Sequence, residues 1–132
     1  MLDLFTLINS KIEPICTCFV DHYPEDQMDD AGNVMPKDYP YVEIRFPNIL
    51  PNNSFSDNNL LEVDIWDDKA TDIREIEGIT DAVHKALNRL QYNDAVMNVS
   101  INRNTPYLLN LPDPIIHIQR RQLRYIVTVY YK

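Results

Sequence analysis

The chain has 132 residues, 45% of them hydrophobic, and a formal charge of −8; this suits one folded domain over 1–132 and is too apolar for a disordered chain. The charge is uneven: residues 1–90 hold 18 acidic and 7 basic side chains, a balance of −11, whereas 91–132 hold 2 and 5, a balance of +3. The overall sign argues against a nucleic-acid binder held by phosphate contacts. No apolar window reaches the length of a membrane span, and MLDLFTLINSKIEP lacks the basic-then-apolar pattern of a secretory signal.

Residues 2–13 read as a helix, because Leu4, Leu7, Ile8 and Ile12 share one stripe and Pro14 stops it. Ile15 to Val20 reads as a short strand carrying Cys16 and Cys18, two small thiols too close in sequence to pair without strain. A long acidic loop follows at about 21–38, and loops of that length in a compact domain are usually functional or disordered. In YPYVEIRFP, Val42, Ile44 and Phe46 alternate with Tyr41, Glu43 and Arg45, the pattern of a half-buried strand. NILPNNSFSDNN reads as a polar turn region, and Leu61, Val63 and Ile65 then alternate with Glu62, Asp64 and Trp66 in another strand. The strongest helical pattern comes next, with Ile73, Ile76, Val83, Ala86, Leu87 and Leu90 as its apolar stripe. Val96 to Ile101 reads as a strand, and Ile115 to Tyr131 as one or two. The prolines at 106, 112 and 114 exclude regular structure from the link between them. The order is α-β-β-β-α-β-β, an α+β fold with a mainly antiparallel sheet and two helices packed on one face.

Seven carboxylates crowd into LEVDIWDDKATDIREIE, residues 61–77. A metal-dependent phosphoryl enzyme would need several of those at 62–72 to converge on a divalent cation, with distant ligands completing the site. Each acid also has a local role. Glu62 and Asp64 suit the outer face of an alternating strand, and Asp67 and Asp68 the turn. Thr71 or Asp72 suits the helix N-cap, with Asp72 and Glu75 resembling a capping box. Glu75 and Glu77 meet the positive end of the helix dipole. The local roles account for the cluster, so no catalytic residue, metal or cofactor is expected. Gly32 and Gly78 are the only glycines, which leaves no glycine-rich phosphate loop. His22, His84 and His117 sit in unrelated contexts, and Ser10, Ser54, Ser56 and Ser100 lack a nucleophile-elbow context. The run QRRQLR at 119–124 has no interleaved aromatics and reads as a salt-bridged or subunit-contact patch rather than a nucleic-acid site.

The order of elements and motifs resembles the tail-terminator proteins of long-tailed bacteriophages, also called tail-completion or head-tail joining proteins. An amphipathic helix and short strand lead to Tyr39-Pro40-Tyr41-Val42, then to a strand carrying Val63-Asp64-Ile65-Trp66 and a long helix at 71–90. The chain closes on an Arg/Tyr-rich strand, RRQLRYIVTVYY. The acidic loop at 22–38 and the Asn-rich stretch at 48–59 depart from that pattern. The resemblance implies a structural virion protein at the head-proximal end of the tail. Such a protein forms a homo-oligomeric ring, typically a hexamer, that ends polymerisation of the tail tube protein and docks to the head-completion or connector protein. DNA would pass the lumen without specific binding, and no membrane is involved. A related head-tail completion or adaptor protein is the alternative. Expected partner or subunit contacts are Asp26, Asp29 and Asp30 in one loop, Asn52, Asn53 and Phe55 in another, and Arg120, Arg121 and Arg124 in the last strand.

Overall fold

The computed structural model describes residues 2–21, 28, 30–33, 38–47, 49–51, 56–69, 72–111 and 118–132, and the backbone alone at 2, 49–51 and 56. In chain order these form α1 (Leu2–Ile12), β1 (Cys18–Val20), β2 (Tyr41–Arg45), β3 (Ile49–Pro51), β4 (Ser56–Asp67), α2 (Arg74–Leu87), β5 (Gln91–Asn93), β6 (Met97–Leu111) and β7 (Gln119–Tyr131). One sheet runs β1-β2-β4-β7-β6-β5, with β3 lying beside β2 along the same edge of β4. Among the described strands only β1 and β2 pair in parallel. The α+β class, the antiparallel sheet and the helix-covered face agree with the sequence pattern.

The core lies between the helices and one sheet face. Leu4, Ile8 and Ile12 of α1 and Ile76, Val83 and Leu87 of α2 are fully buried against it. The sheet contributes Val42 and Ile44, Leu61, Val63 and Ile65, Val99 and Ile101, and Leu123, Tyr125, Val127 and Val129. Alternate residues of β2, β4, β6 and β7 therefore meet helix stripes of three- and four-residue spacing, and each such buried side chain contributes about 1.5–3 kcal/mol by leaving water. Thr80 lies within the α2 stripe and stays tolerable there because its hydroxyl donates to the Ile76 carbonyl at 2.7 Å.

Several expectations change. The turn region of NILPNNSFSDNN contains β3 and the start of β4, because Ser56 to Asn59 pair with Val127 to Tyr130 of β7 despite their low strand propensity. The link carrying Pro106 is also strand: β6 runs unbroken to Leu111. Pro106 is accommodated by an irregularity in which four residues of β6, between Arg103 and Leu108, stand against the single β7 residue between Tyr125 and Leu123. Pro112 and Pro114 lie outside the described residues. Ile15 belongs to the turn after α1 rather than to β1, which starts at Cys18. The α2 helix begins later than its stripe suggested. Ile73 is its N-cap, 53% exposed and without a side-chain cap. Asp72 instead accepts the Arg74 amide at 3.0 Å and its guanidinium at 3.0 and 2.9 Å, while Glu75 pairs with Lys69, so no capping box forms. Thr71 lies outside the described residues.

Candidate functional site

The sheet face turned away from the helices carries an arginine–carboxylate network. Alternation brings Tyr41, Glu43 and Arg45 of β2, Glu62, Asp64 and Trp66 of β4, and Arg120, Gln122 and Arg124 of β7 to this face. The pairing lines them up in the rows Tyr41–Trp66–Arg120, Glu43–Asp64–Gln122 and Arg45–Glu62–Arg124. Asp64 is the centre. Far from projecting freely from an outer face, it is 2% exposed. Its Oδ1 accepts from Arg120 Nη2 at 2.8 Å, Arg120 Nε at 3.1 Å and Gln122 Nε2 at 3.0 Å, and its Oδ2 lies 3.3 Å from Arg45 Nη2. Glu62 Oε2 accepts from Gln122 Nε2 at 2.7 Å and from Arg45 Nη2 at 3.2 Å. A carboxylate this buried is tolerated only when its lone pairs meet charged or amide donors, as here.

An aromatic group closes one end of the network. Arg120 lies 4.8 Å over the Trp66 ring, Trp66 stacks on Tyr41 at 6.2 Å, and Trp66 Nε1 donates to Glu43 at 2.8 Å. Phe19 and Tyr39 pack on Tyr41 at 6.2 and 5.2 Å. At this end of the sheet a cleft of about 500 Å3 opens, lined by Ile15, Cys16, Phe19, Tyr39, Glu75 and Ile79 among others. Burial first, and nearby Glu13 second, push the Cys16 thiol up to about 11 and the Cys18 thiol up to about 12. Both thiols are therefore protonated at neutral pH, and both are free.

On the helix side, Arg121 bonds Glu77 of α2 at 2.9 Å and Gln119 donates to the Lys69 carbonyl at 2.8 Å, fastening the strand-to-helix turn to β7. Asp67 is fully buried there. Its Oδ1 accepts the Asp68 amide at 2.9 Å, its Oδ2 has no partner among the described residues, and burial raises its pKa. His84 of α2 sits against Tyr107 and Tyr125 at ring distances of 4.8 and 5.7 Å, with Nδ1 2.7 Å from the Tyr125 hydroxyl. Burial, then Arg103, holds its pKa below the ordinary imidazole value.

The seven acids of 61–77 are thus dispersed over two faces and a turn, and several are bound to their own cations. Among the described residues no three His, Cys, Asp or Glu side chains stand where they could hold one metal ion. Of the expected contact residues, Asp30 is exposed, and Asp26, Asp29, Asn52, Asn53 and Phe55 lie outside the described residues, as do His22 and His117. Arg120 and Arg121 project to opposite faces and each holds a carboxylate of its own chain. Arg124 shares a row with Arg45 and Glu62, and its buried Nε has no partner among the described residues. Sequence reasoning missed Arg45, Gln122 and the buried state of Asp64. The available signal was a carboxylate and an arginine at matching alternation positions of strands that proved to be neighbours.

No family model and no curated protein matches the chain. Among solved structures, a chain from the virion of a native gene transfer agent particle matches with a TM-score of 0.62 at 11% identity, covering 94% of this chain and 84% of that one. Over most of its length the chain therefore shares its fold with a chain of that virion.

Proposed function

We propose that the chain is a structural virion protein of a tailed, phage-like particle, and within that class the tail terminator. It would form a ring on the head-proximal end of the tail tube, stop addition of tube protein and offer the docking surface for the head connector. The observation that carries this reading is the fold likeness to a gene transfer agent virion chain along 94% of the sequence. The order of Tyr39-Pro40-Tyr41-Val42, Val63-Asp64-Ile65-Trp66, the long helix and the closing strand supports the narrower assignment. A ring uses heterologous contacts, so each copy needs two unlike surfaces, and the −11 segment 1–90 and the +3 segment 91–132 offer unlike charge. An acidic lumen would repel DNA phosphates and let the genome pass. The loops holding Asp26, Asp29, Asp30, Asn52, Asn53 and Phe55 are the proposed partner contacts. Arg124 is the informative target for charge reversal, because reversing Arg120 or Arg121 also breaks pairs inside the chain.

The test is to add purified chain to tail tubes and image them. Tubes of fixed length bearing a ring at one end are expected. A chain that stays monomeric and never joins tubes overturns the reading. Because the fold likeness does not distinguish positions in the particle, a head-side completion protein is the second reading; binding to connector-bearing capsids without binding to tubes would select it. The metal-dependent phosphoryl enzyme is removed if Mg2+ or Mn2+ produces no thermal shift and Asp64→Asn changes no hydrolytic rate.

A further inference from the structure

We propose that copies of this chain join by continuing the sheet, with the outer edge of β6 at Leu108–Asn110 pairing antiparallel with the outer edge of β1 at Cys18–Val20 of the next copy. This inference rests on the ring reading above and supplies its subunit contact.

Four observations on the sheet carry it. First, β5 covers β6 only at Asn98 to Ser100, and among the described residues nothing pairs with the outer edge of β6 from Asn102 to Leu111. Its last stretch, Leu108-Leu109-Asn110-Leu111, has no charge and no proline, the usual devices that keep an edge from pairing. Second, β1 ends the sheet on the other side. Val42 donates to the Thr17 carbonyl and Asp21 to the Ile44 carbonyl, so residues 17, 19 and 21 bond inward, while the amides and carbonyls of Cys18 and Val20 point out.

Third, the two edges occupy the same rows. Val20, Ile44, Val63, Leu123 and Leu108 form one row across five strands. Phe19, Glu43, Asp64, Gln122 and Leu109 form the next, and Cys18, Val42, Ile65, Arg121 and Asn110 the third. Continuing each row into a second copy sets Leu108 beside Val20, Leu109 beside Phe19 and Asn110 beside Cys18. Apolar side chains then meet on both faces, and Val20, 44% exposed in the single chain, is covered. Fourth, the strand directions suit the contact. With β1 parallel to β2 and every later step to β6 antiparallel, β6 runs opposite to β1, so the junction is an ordinary antiparallel pair. The contact is heterologous, one edge of each kind per copy, which is the geometry a closed ring requires. One internal contact stands in the way: Glu13 Oε2 accepts the outward Cys18 amide at 2.8 Å and must swing aside for a full ladder.

Cysteine pairs test the register. Opposed residues of an antiparallel pair have Cα atoms about 4.5–5.5 Å apart, within the span of a disulfide. Val20→Cys with Leu108→Cys reads the register above, and Val20→Cys with Asn110→Cys reads a slip of two residues, which keeps every side chain on its face. In the first register native Cys18 would face Asn110→Cys, so every variant is built on a Cys18→Ala background, where buried Cys16 competes little. On oxidation of the folded chain, with and without tail tubes, one of the double variants is expected to give a ladder of dimers, trimers and larger products that collapses under reductant. Each single variant should stop at dimers. Absence of products beyond dimer from both pairs, in samples whose circular dichroism matches the parent, overturns the sheet continuation. Mass photometry of the same samples separates the two levels of the argument. Rings without a ladder remove this contact alone, whereas no assembly even on tubes removes the ring reading with it.

Discussion

Replacing Arg120 by alanine should weaken the isolated chain before any partner is involved. Asp64 would keep Gln122 at 3.0 Å and Arg45 at 3.3 Å but lose both Arg120 contacts. Removing one partner of a fully buried ion pair costs about 3–5 kcal/mol. Here Arg120 is 21% exposed and two partners remain, so roughly half, about 2 kcal/mol, is expected. Loss of the cation over Trp66 adds about 0.5 kcal/mol. In a domain of this size a total of about 2.5 kcal/mol lowers Tm by about 8–12 °C. Urea melts of Arg120→Ala, Asp64→Asn and the double variant should give a coupling of about 1.5 kcal/mol between the two sites. The exposed Lys69–Glu75 pair serves as the control, and Lys69→Ala should leave the urea midpoint nearly unchanged. An Arg120→Ala variant within about 0.5 kcal/mol of the parent, or strict additivity with Asp64→Asn, would refute the network.

Further predictions concern the buried titratable groups. Asp67→Asn should stabilise the chain at neutral pH by about 1 kcal/mol, because an ionised, half-satisfied carboxylate is removed from the core. Burial raises the folded Asp67 pKa, so the parent loses stability relative to this variant as pH rises from the ordinary carboxylate value through the raised one; melts across that range check the sign. The His84 pKa is lowered from 6.5 in the folded chain, so its contribution is present above that pH and is lost as pH falls below it. His84→Gln should flatten that part of the stability profile. His84→Ala should cost about 1–2 kcal/mol at pH 7.5 by leaving the Tyr125 hydroxyl unpaired. Cys16 and Cys18, with pKa values near 11 and 12, should react with iodoacetamide at pH 7.5 far more slowly in the folded chain than in urea.

The helices were legible because their stripes are local: 4, 7, 8 and 12 for α1, and 76, 83 and 87 within α2. The alternations of β2 and β4 were legible for the same reason. Strand extent was not. Ser56 to Asn59 have turn-like side chains and become strand only because β7 lies beside them, and Pro106 stays in β6 because the strand bulges around it. Ile73 looked like core by spacing, but α2 begins after it and leaves it exposed. The candidate site was hidden for a related reason. The acid at Asp64 and the bases at Arg45 and Arg120 were each visible, yet 19 and 56 residues of chain separate them from the carboxylate, and only the strand order puts them in contact.

That strand order also bears on how the protein can be made. β7, the last strand of the sequence, lies inside the sheet, paired to β4 over twelve residues on one side and to β6 on the other. A nascent chain that has emerged only as far as residue 118 can assemble β1-β2-β4 on one hand and β6-β5 on the other, with nothing to join them. The helices would then have half a surface to pack on, and both edges of the gap would be open to other chains. Vectorial synthesis cannot complete this fold piecemeal, so a ribosome-bound intermediate should stay protease-sensitive until β7 clears the exit tunnel.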